Sequence, residues 1–376
     1  MSKRWPGKIV IGLTGNIATG KSIVRRMLEH LGALGLDADQ LAHRAMSPGA
    51  PAYEPVTRMF GQWVVGPDKQ IDRGRLGRIV FSDPEALAVL EQIVHPVVVE
   101  VIDLLVRRAR QRVVVIEAIK LFEAGLADDC DEVWVVDAAP KVQIRRLMEK
   151  RGLSEAEARA RLAAQPPQSV KLARATRIIN NGGSIEETYN QVNRALQEIL
   201  VGEPEPVQPP EPARGEIVVR RATPSQARDI ALFIYRTTGQ ALSRPEMMAR
   251  FGEKAYMLAT VDGNLIGLAG WQVENLITRI DEFIIANDAP AEAVVSRLAE
   301  QIEASARDLQ NEISLLFLPA GTPDSIRQAV LDAGYEMKTI ADLRVPDWRE
   351  AAIESAPPGS IMAVKRLRAD RVLKPI

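Results

Sequence analysis

Cysteine is almost absent from this chain: Cys130 is the only one in 376 residues. A single cysteine excludes an internal disulfide and a cysteine-based zinc site, and three histidines leave little for a His-rich metal site. Excess charge is missing too. A formal net charge of -1 gives no whole-chain electrostatic reason to expect nucleic acid or an anionic membrane as a partner. No apolar run is long enough to span a bilayer. Lys3, Arg4 and Lys8 precede Ile9-Val10-Ile11. That run is much too short for a signal peptide, and it leads into a glycine loop rather than a cleavage site. These absences together lead us to expect a protein of a reducing, cytoplasmic compartment.

What is present is ordinary for a globular protein with a full core: 46% hydrophobic and 26% charged residues. The length suggests two or three domains. Residues 201–215 read VGEPEPVQPPEPARG, dominated by proline and glutamate. Such a segment is stiff, extended and too polar to bury, so it reads as a linker. The expected division is 1–201, a linker over 202–215, and 216–376.

Before the linker, short β-branched runs alternate with helical patterns. Strands are expected at Lys8–Thr14, Leu34–Asp37, Val113–Glu117, Glu132–Asp137 and, more weakly, Arg177–Asn180. A helix is expected through Ser22–Leu31, and Pro55–Arg110 should be mostly helical and outside the sheet. Continuous apolar strands with intervening helices point to an α/β fold with a parallel sheet covered on both faces. Ser154 and Glu157 fit a capping box at the start of a charged helix.

After the linker the order changes. A strand (Ile217–Ala222) is followed by two helices (Pro224–Thr237, Arg244–Gly252). Next comes a hairpin from Tyr256 to Val273 turning at Asp262-Gly263. Strand, helix, strand and helix then run to Ala333, which makes this part α+β.

Residues Gly15–Ser22 read GNIATGKS and match G-x-x-x-x-G-K-[ST], set between a strand and a helix. Glycines let backbone N–H groups of such a loop wrap a phosphate, and the following helix adds its positive N-terminal dipole. Lys21 is expected on the β/γ-phosphates and the Ser22 hydroxyl on Mg²⁺. The motif implies ATP or a related nucleotide, held by Gly15, Asn16, Ile17, Ala18, Thr19, Gly20, Lys21 and Ser22. By itself it does not separate kinases from GTPases or other ATPases.

Further residues narrow the choice: LDADQLA (Leu36–Ala42), SPGAPA (Ser47–Ala52), IVHP (Ile93–Pro96), Arg145-Arg146-Leu147, ARLAAQ (Ala160–Gln165) and INNGG (Ile179–Gly183). In this order and at these separations, the chain from Ile9 to Leu200 resembles the dephospho-coenzyme A kinases. The resemblance implies a P-loop NTPase-type sheet with helical substrate and lid regions. It also implies ATP and Mg²⁺, and dephospho-coenzyme A as phosphate acceptor. It makes Asp39 the carboxylate that accepts the proton of the ribose 3′-hydroxyl, and it places Arg146 in a lid over the phosphates. Asp37 is expected beside Ser22 on the metal, with a helix N-cap as the alternative reading of the Asp pair. Arg161 is a second lid candidate. Asn180 is expected near the adenine, although a plain Asn-Gly turn reads almost as well. His95 is best read as a core or capping residue, and Cys130 as a small hydrophobe.

Two departures stand out. Asn16 and Ala18 occupy loop positions where the family commonly has glycine. After the third strand the family tends to carry D-x-P-L-L-x-E, whereas this chain has EAIKLFE (Glu117–Glu123). Glu117 keeps the acidic position, Ile119 replaces the proline, and Lys120 is either a substrate-phosphate contact or a surface lysine.

From Ile217 to about Leu343 the element order resembles the Gcn5-related N-acetyltransferases (GNAT). Where that family has a glycine-rich pyrophosphate loop, this chain reads IIANDAPAEAVV (Ile284–Val295), with no glycine. A degenerate structural domain is expected ahead of a working acyltransferase or a regulatory module.

Overall fold

Residues 113–116 and 133–136 are apolar on every side chain, and a strand so composed is stable only with both faces covered. The computed structural model, which describes residues 4–201, 213–274, 276–309 and 311–368, has that arrangement. Elements of the first half are β1 (Ile9–Thr14), α1 (Lys21–His30), β2 (Leu34–Asp37), α2 (Ala38–Ala45), α3 (Tyr53–Phe60), α4 (Arg73–Val80) and α5 (Pro84–Arg108). They continue with β3 (Val113–Glu117), β4 (Glu132–Asp137), α6 (Pro140–Arg151), α7 (Glu155–Ala163), α8 (Gln168–Leu172), β5 (Arg177–Asn180) and α9 (Ile185–Ile199).

The five strands pair in parallel in the order β2-β3-β1-β4-β5. β1 is central, with Ile11 opposite Val115 on one side and Glu132 on the other. Val10, Ile11, Leu13, Val114, Val115, Trp134 and Val135 are buried. Each such side chain contributes about 1.5–3 kcal/mol by leaving water. Gly12 lies where a Cβ would meet Leu121 Cδ2 at 2.8 Å and Cys130 Sγ at 2.9 Å. Burial and the flanking Asp128, Asp129 and Asp131 push the Cys130 thiol up to about 12, so it packs as a small hydrophobe.

α5 is begun by Asp83, whose carboxylate accepts from Glu85 N at 2.9 Å, and by Pro84 at its first position. His95 sits in this helix, half-exposed. The capping box of α7 forms as expected: Ser154 Oγ accepts from Glu157 N, and Glu157 Oε2 accepts from Ser154 N at 2.9 Å.

The second half comprises β6 (Ile217–Arg221), α10 (Ala227–Thr238), α11 (Arg244–Phe251), β7 (Ala255–Val261), β8 (Asn264–Glu274), β9 (Ile277–Ile285) and α12 (Ala291–Asp308). It ends with β10 (Ile313–Pro319), α13 (Asp324–Asp332), β11 (Glu336–Met337), α14 (Pro346–Ser355) and β12 (Ser360–Arg366). Seven strands run in the order β11-β12-β10-β9-β8-β7-β6, antiparallel except for the β9–β10 pair. The β7–β8 turn carries φ values of +48° at Asp262 and +81° at Gly263, the backbone that an Asp-Gly hairpin turn needs. The order of strand, two helices, hairpin, strand, helix, strand and helix expected through Ala333 is present. α14 and β12 lie beyond the elements expected from sequence.

By contacts among the described residues, 4–25 with 32–182 form one unit, and 26–31 with 183–368 form another. Of the linker, residues 202–212 lie outside the described residues. Among the described residues no helix is long and apolar enough to cross a membrane.

Candidate active site

Parallel strands bring their C-terminal ends to one edge, where open α/β sheets bind ligands. At that edge the loop from Gly15 to Gly20 joins β1 to α1. Gly15 has φ +151°, and a Cβ there would lie 2.5 Å from Val136 O; Gly20 has φ +96°, and a Cβ there would lie 2.0 Å from Asn181 Nδ2. Both glycines are therefore required by close approach as well as by dihedral.

Of the two departures in the loop, Ala18 is the one in left-handed backbone, at φ +59°, while Asn16 has no positive φ. Asn16 is instead buried, with its Nδ2 donating to Pro166 O at 2.9 Å and its backbone N donating to Gln168 Oε1 at 3.0 Å. Ile17 N donates to Gln165 Oε1 at 2.7 Å. The segment between α7 and α8 thus grips the start of the loop. Left-handed backbone costs an alanine about 1–2 kcal/mol, and the extra unfolded-state freedom of glycine offsets roughly half of that. Ala18→Gly is expected to raise stability by up to about 1 kcal/mol, read as a higher thermal midpoint of the full chain. A lower midpoint would mean that Ala18 is not strained.

Lys21 begins α1 and is 8% exposed, with Nζ donating to Asn16 O at 3.3 Å. Burial lowers its pKa, while Glu117, Asp39 and Asp37 pull the other way. Ser22 Oγ donates to Glu117 Oε1 at 2.8 Å, and Arg25 Nε donates to Glu117 Oε2 at 2.8 Å. Asp37, at the end of β2, is the N-cap of α2 and accepts from Gln40 N at 3.0 Å. Its carboxyl is pushed up to about 6, first by burial and then by the charge of Glu117. Asp39 lies in the first turn of α2, half-buried, and its Oδ2 accepts from Ile119 N at 3.2 Å. Burial raises its pKa, and the Ile119 bond and Lys21 oppose that rise. The Ile119 departure has a direct consequence, because a proline there has no N–H to give.

Arg146, on α6, is drawn onto the loop itself. Its Nη1 donates to Ala18 O (3.2 Å) and Thr19 O (3.1 Å), and its Nη2 to Asn181 O (2.7 Å). Arg161 lies on the exposed face of α7. Asn180, the last residue of β5, is exposed, and its Oδ1 accepts from Gly182 N at 2.8 Å. The next residue, Asn181, is the one that reaches the loop, with Nδ2 donating to Thr19 O at 2.8 Å. Lys120 forms an ion pair with Glu91 on α5 at 2.5 Å, and both side chains are partly exposed. Arg25, Gln165, Gln168, Lys171 and Asn181 are site residues that the motifs did not single out. ARLAAQ and INNGG contain two of them but do not say which side chain turns inward.

The donor set suits a hard cation. Ser22 donates its proton to Glu117, which leaves the hydroxyl oxygen to act as a ligand, and a divalent ion beside Asp37 would relieve its repulsion with Glu117. Among the described residues no three His, Cys, Asp or Glu gather as a metal cage. Mg²⁺ needs none, since it binds through one or two carboxylates plus substrate phosphates.

A GxxxxGKS loop after the central strand of a parallel sheet, with acidic residues from the ends of β2 and β3 beside it, is the architecture of a nucleotide-phosphate site. The family profile for dephospho-CoA kinase matches residues 9–187. A dephospho-CoA kinase from Moorella thermoacetica is 45% identical over 206 residues, spanning 52% of this chain and 96% of that protein. This chain belongs to the dephospho-CoA kinase family, whose members are ATP-dependent transferases. A solved dephospho-CoA kinase from Campylobacter jejuni is 30% identical with a TM-score of 0.39, covering 50% of this chain and 96% of that one. A GNAT-family acetyltransferase from Streptococcus pneumoniae is 14% identical with a TM-score of 0.31, covering 40% of this chain and 99% of that one. The dephospho-CoA kinase relatives thus account for about half of this chain.

Proposed function

We propose that the chain moves the ATP γ-phosphoryl group directly to the ribose 3′-hydroxyl of dephospho-coenzyme A, with the residues at the sheet edge divided between the two substrates. The observation that carries this reading is the convergence of Lys21, Ser22, Asp37, Asp39 and Glu117 beside a glycine loop. Lys21 and the loop amides hold the β/γ-phosphates. Ser22 and Asp37 hold Mg²⁺, which supplies charge neutralisation at the transferring phosphoryl. Arg146 and Asn181 brace the loop through the carbonyls of Ala18 and Thr19, and this fixes the direction of its N–H groups. Asp39 orients the acceptor hydroxyl. The loose transition state of phosphoryl transfer makes proton removal late and undemanding, so a carboxylate suffices. ADP release by the full chain with dephospho-coenzyme A as the only added acceptor tests the proposal. ATP affinity without turnover would defeat it.

The chemistry is assigned to residues 1–201. Supporting this, the Moorella enzyme is matched over 96% of its length by only 52% of this chain. A chain truncated after Val201 is expected to fold and to keep kcat within about threefold, since a whole relative is matched over nearly all of its length by this half alone. An insoluble or inactive product would make the C-terminal part a component of the catalytic unit.

A further inference from the structure

Lys171 is charged, buried and without a role in the assignments above. It lies on α8, 4% exposed, and its Nζ donates to Ile119 O at 2.8 Å. Thr14 Oγ1 donates to the same carbonyl at 3.2 Å. The N–H of Ile119 is the group that holds Asp39 Oδ2, at 3.2 Å. One residue therefore carries Asp39 on its amide and Lys171 on its carbonyl. The same short helix holds the loop on its other side, through Gln168 to Asn16 N at 3.0 Å and to Val136 O at 3.0 Å.

Packing does not require a cation at this position. An apolar chain of similar length would fill the space without the desolvation penalty of a buried ammonium. Burial lowers the pKa of Lys171, and the charges of Glu123, Lys21 and Asp39 also act on it. The ammonium thus ties α8, the helix that also holds the phosphate loop through Gln168, to the turn after β3.

We infer that Lys171 is a positioning residue for phosphoryl transfer: through Ile119 it holds Asp39 at the angle at which that carboxylate meets the acceptor hydroxyl. The inference rests on the acceptor-side reading of Asp39. Its physical basis is that a misplacement of about 1 Å in a reacting group can cost on the order of a hundredfold in rate.

A double-mutant cycle on the full chain tests it, with Lys171→Met, Asp39→Asn and the double variant assayed for kcat and for both KM values. Lys171→Met is expected to lower kcat by on the order of 10- to 100-fold while moving the KM for ATP by less than about threefold. Lys171→Arg should recover most of that loss. In the Asp39→Asn background Lys171→Met should cost almost nothing more, because the group it positions is already gone. Should the Met variant not fold, Lys171→Gln runs the same cycle. An unchanged kcat in Lys171→Met overturns the inference. So does an equal loss in both backgrounds, which would make Lys171 act independently of Asp39. If Asp39→Asn alone keeps wild-type kcat, the reading of Asp39 fails and the role of Lys171 fails with it.

Discussion

Lys21→Ala is expected to lower kcat by on the order of a thousandfold or more while the chain stays folded. A preorganised donor aimed at developing charge is worth about 10²–10³ in rate when removed. Lys21 combines that position with a full positive charge in a site from which water is largely excluded. Its Nζ donates to Asn16 O at 3.3 Å, a long bond whose loss should be mild. The cation also offsets Glu117, Asp39 and Asp37, so its removal leaves three carboxylates less compensated. The variant should therefore melt somewhat lower than wild type and bind ATP less tightly. Lys21→Met, which keeps the apolar stem, separates the packing cost from the charge. A Lys21→Ala protein with near-normal kcat would remove the phosphate-loop assignment.

Asp39→Asn is expected to lower kcat by about a hundredfold or more, the low end for losing a positioned general base. Asparagine is nearly isosteric, and its side-chain oxygen can still accept from Ile119 N, so the turn after β3 should be kept. What is lost is a negatively charged acceptor for the hydroxyl proton. The KM for ATP should change little, because Asp37, opposite Glu117 in the β2–β3 register, is the one proposed for the metal side. Strong loss of ATP affinity with kcat retained would move Asp39 from the acceptor side to the metal side.

The pair Asn180-Asn181 shows where reading the sequence stopped. Both follow a short strand and precede two glycines, and either could serve a nucleotide. Successive residues leave a strand on opposite faces. Asn181 turns inward to Thr19 because its own N–H is fixed on Asp137 O at 2.7 Å, a contact made across the sheet. Lys120 posed a similar choice, and its ion pair with Glu91, 29 residues away on α5, is a contact that the sequence does not announce. Among non-glycine residues asparagine tolerates positive φ best, which by type favours Asn16 over Ala18 for the strained backbone. Asn16 is claimed instead by Pro166 and Gln168, and the positive φ passes to Ala18.

In the second half the β7–β8 hairpin was legible because an Asp-Gly turn is a local signal. β12 was not, because its place between β10 and β11 depends on pairing Ser360–Arg366 with Ile313–Pro319, far back in the chain.

The glycine loop, the Asp37-Ala38-Asp39 turn and the alternation of strand and helix were determined by the sequence alone. Each is contiguous and answers to local requirements of dihedral, capping and periodicity. Tertiary structure alone decided which distant side chains share the site: Glu117 on Ser22 and Arg25, Gln165 and Gln168 on the loop amides, and Lys171 on Ile119. Those contacts span from 52 to 152 residues. They exist only because parallel strands, joined by crossovers, bring ends that are remote in sequence to one edge of the sheet.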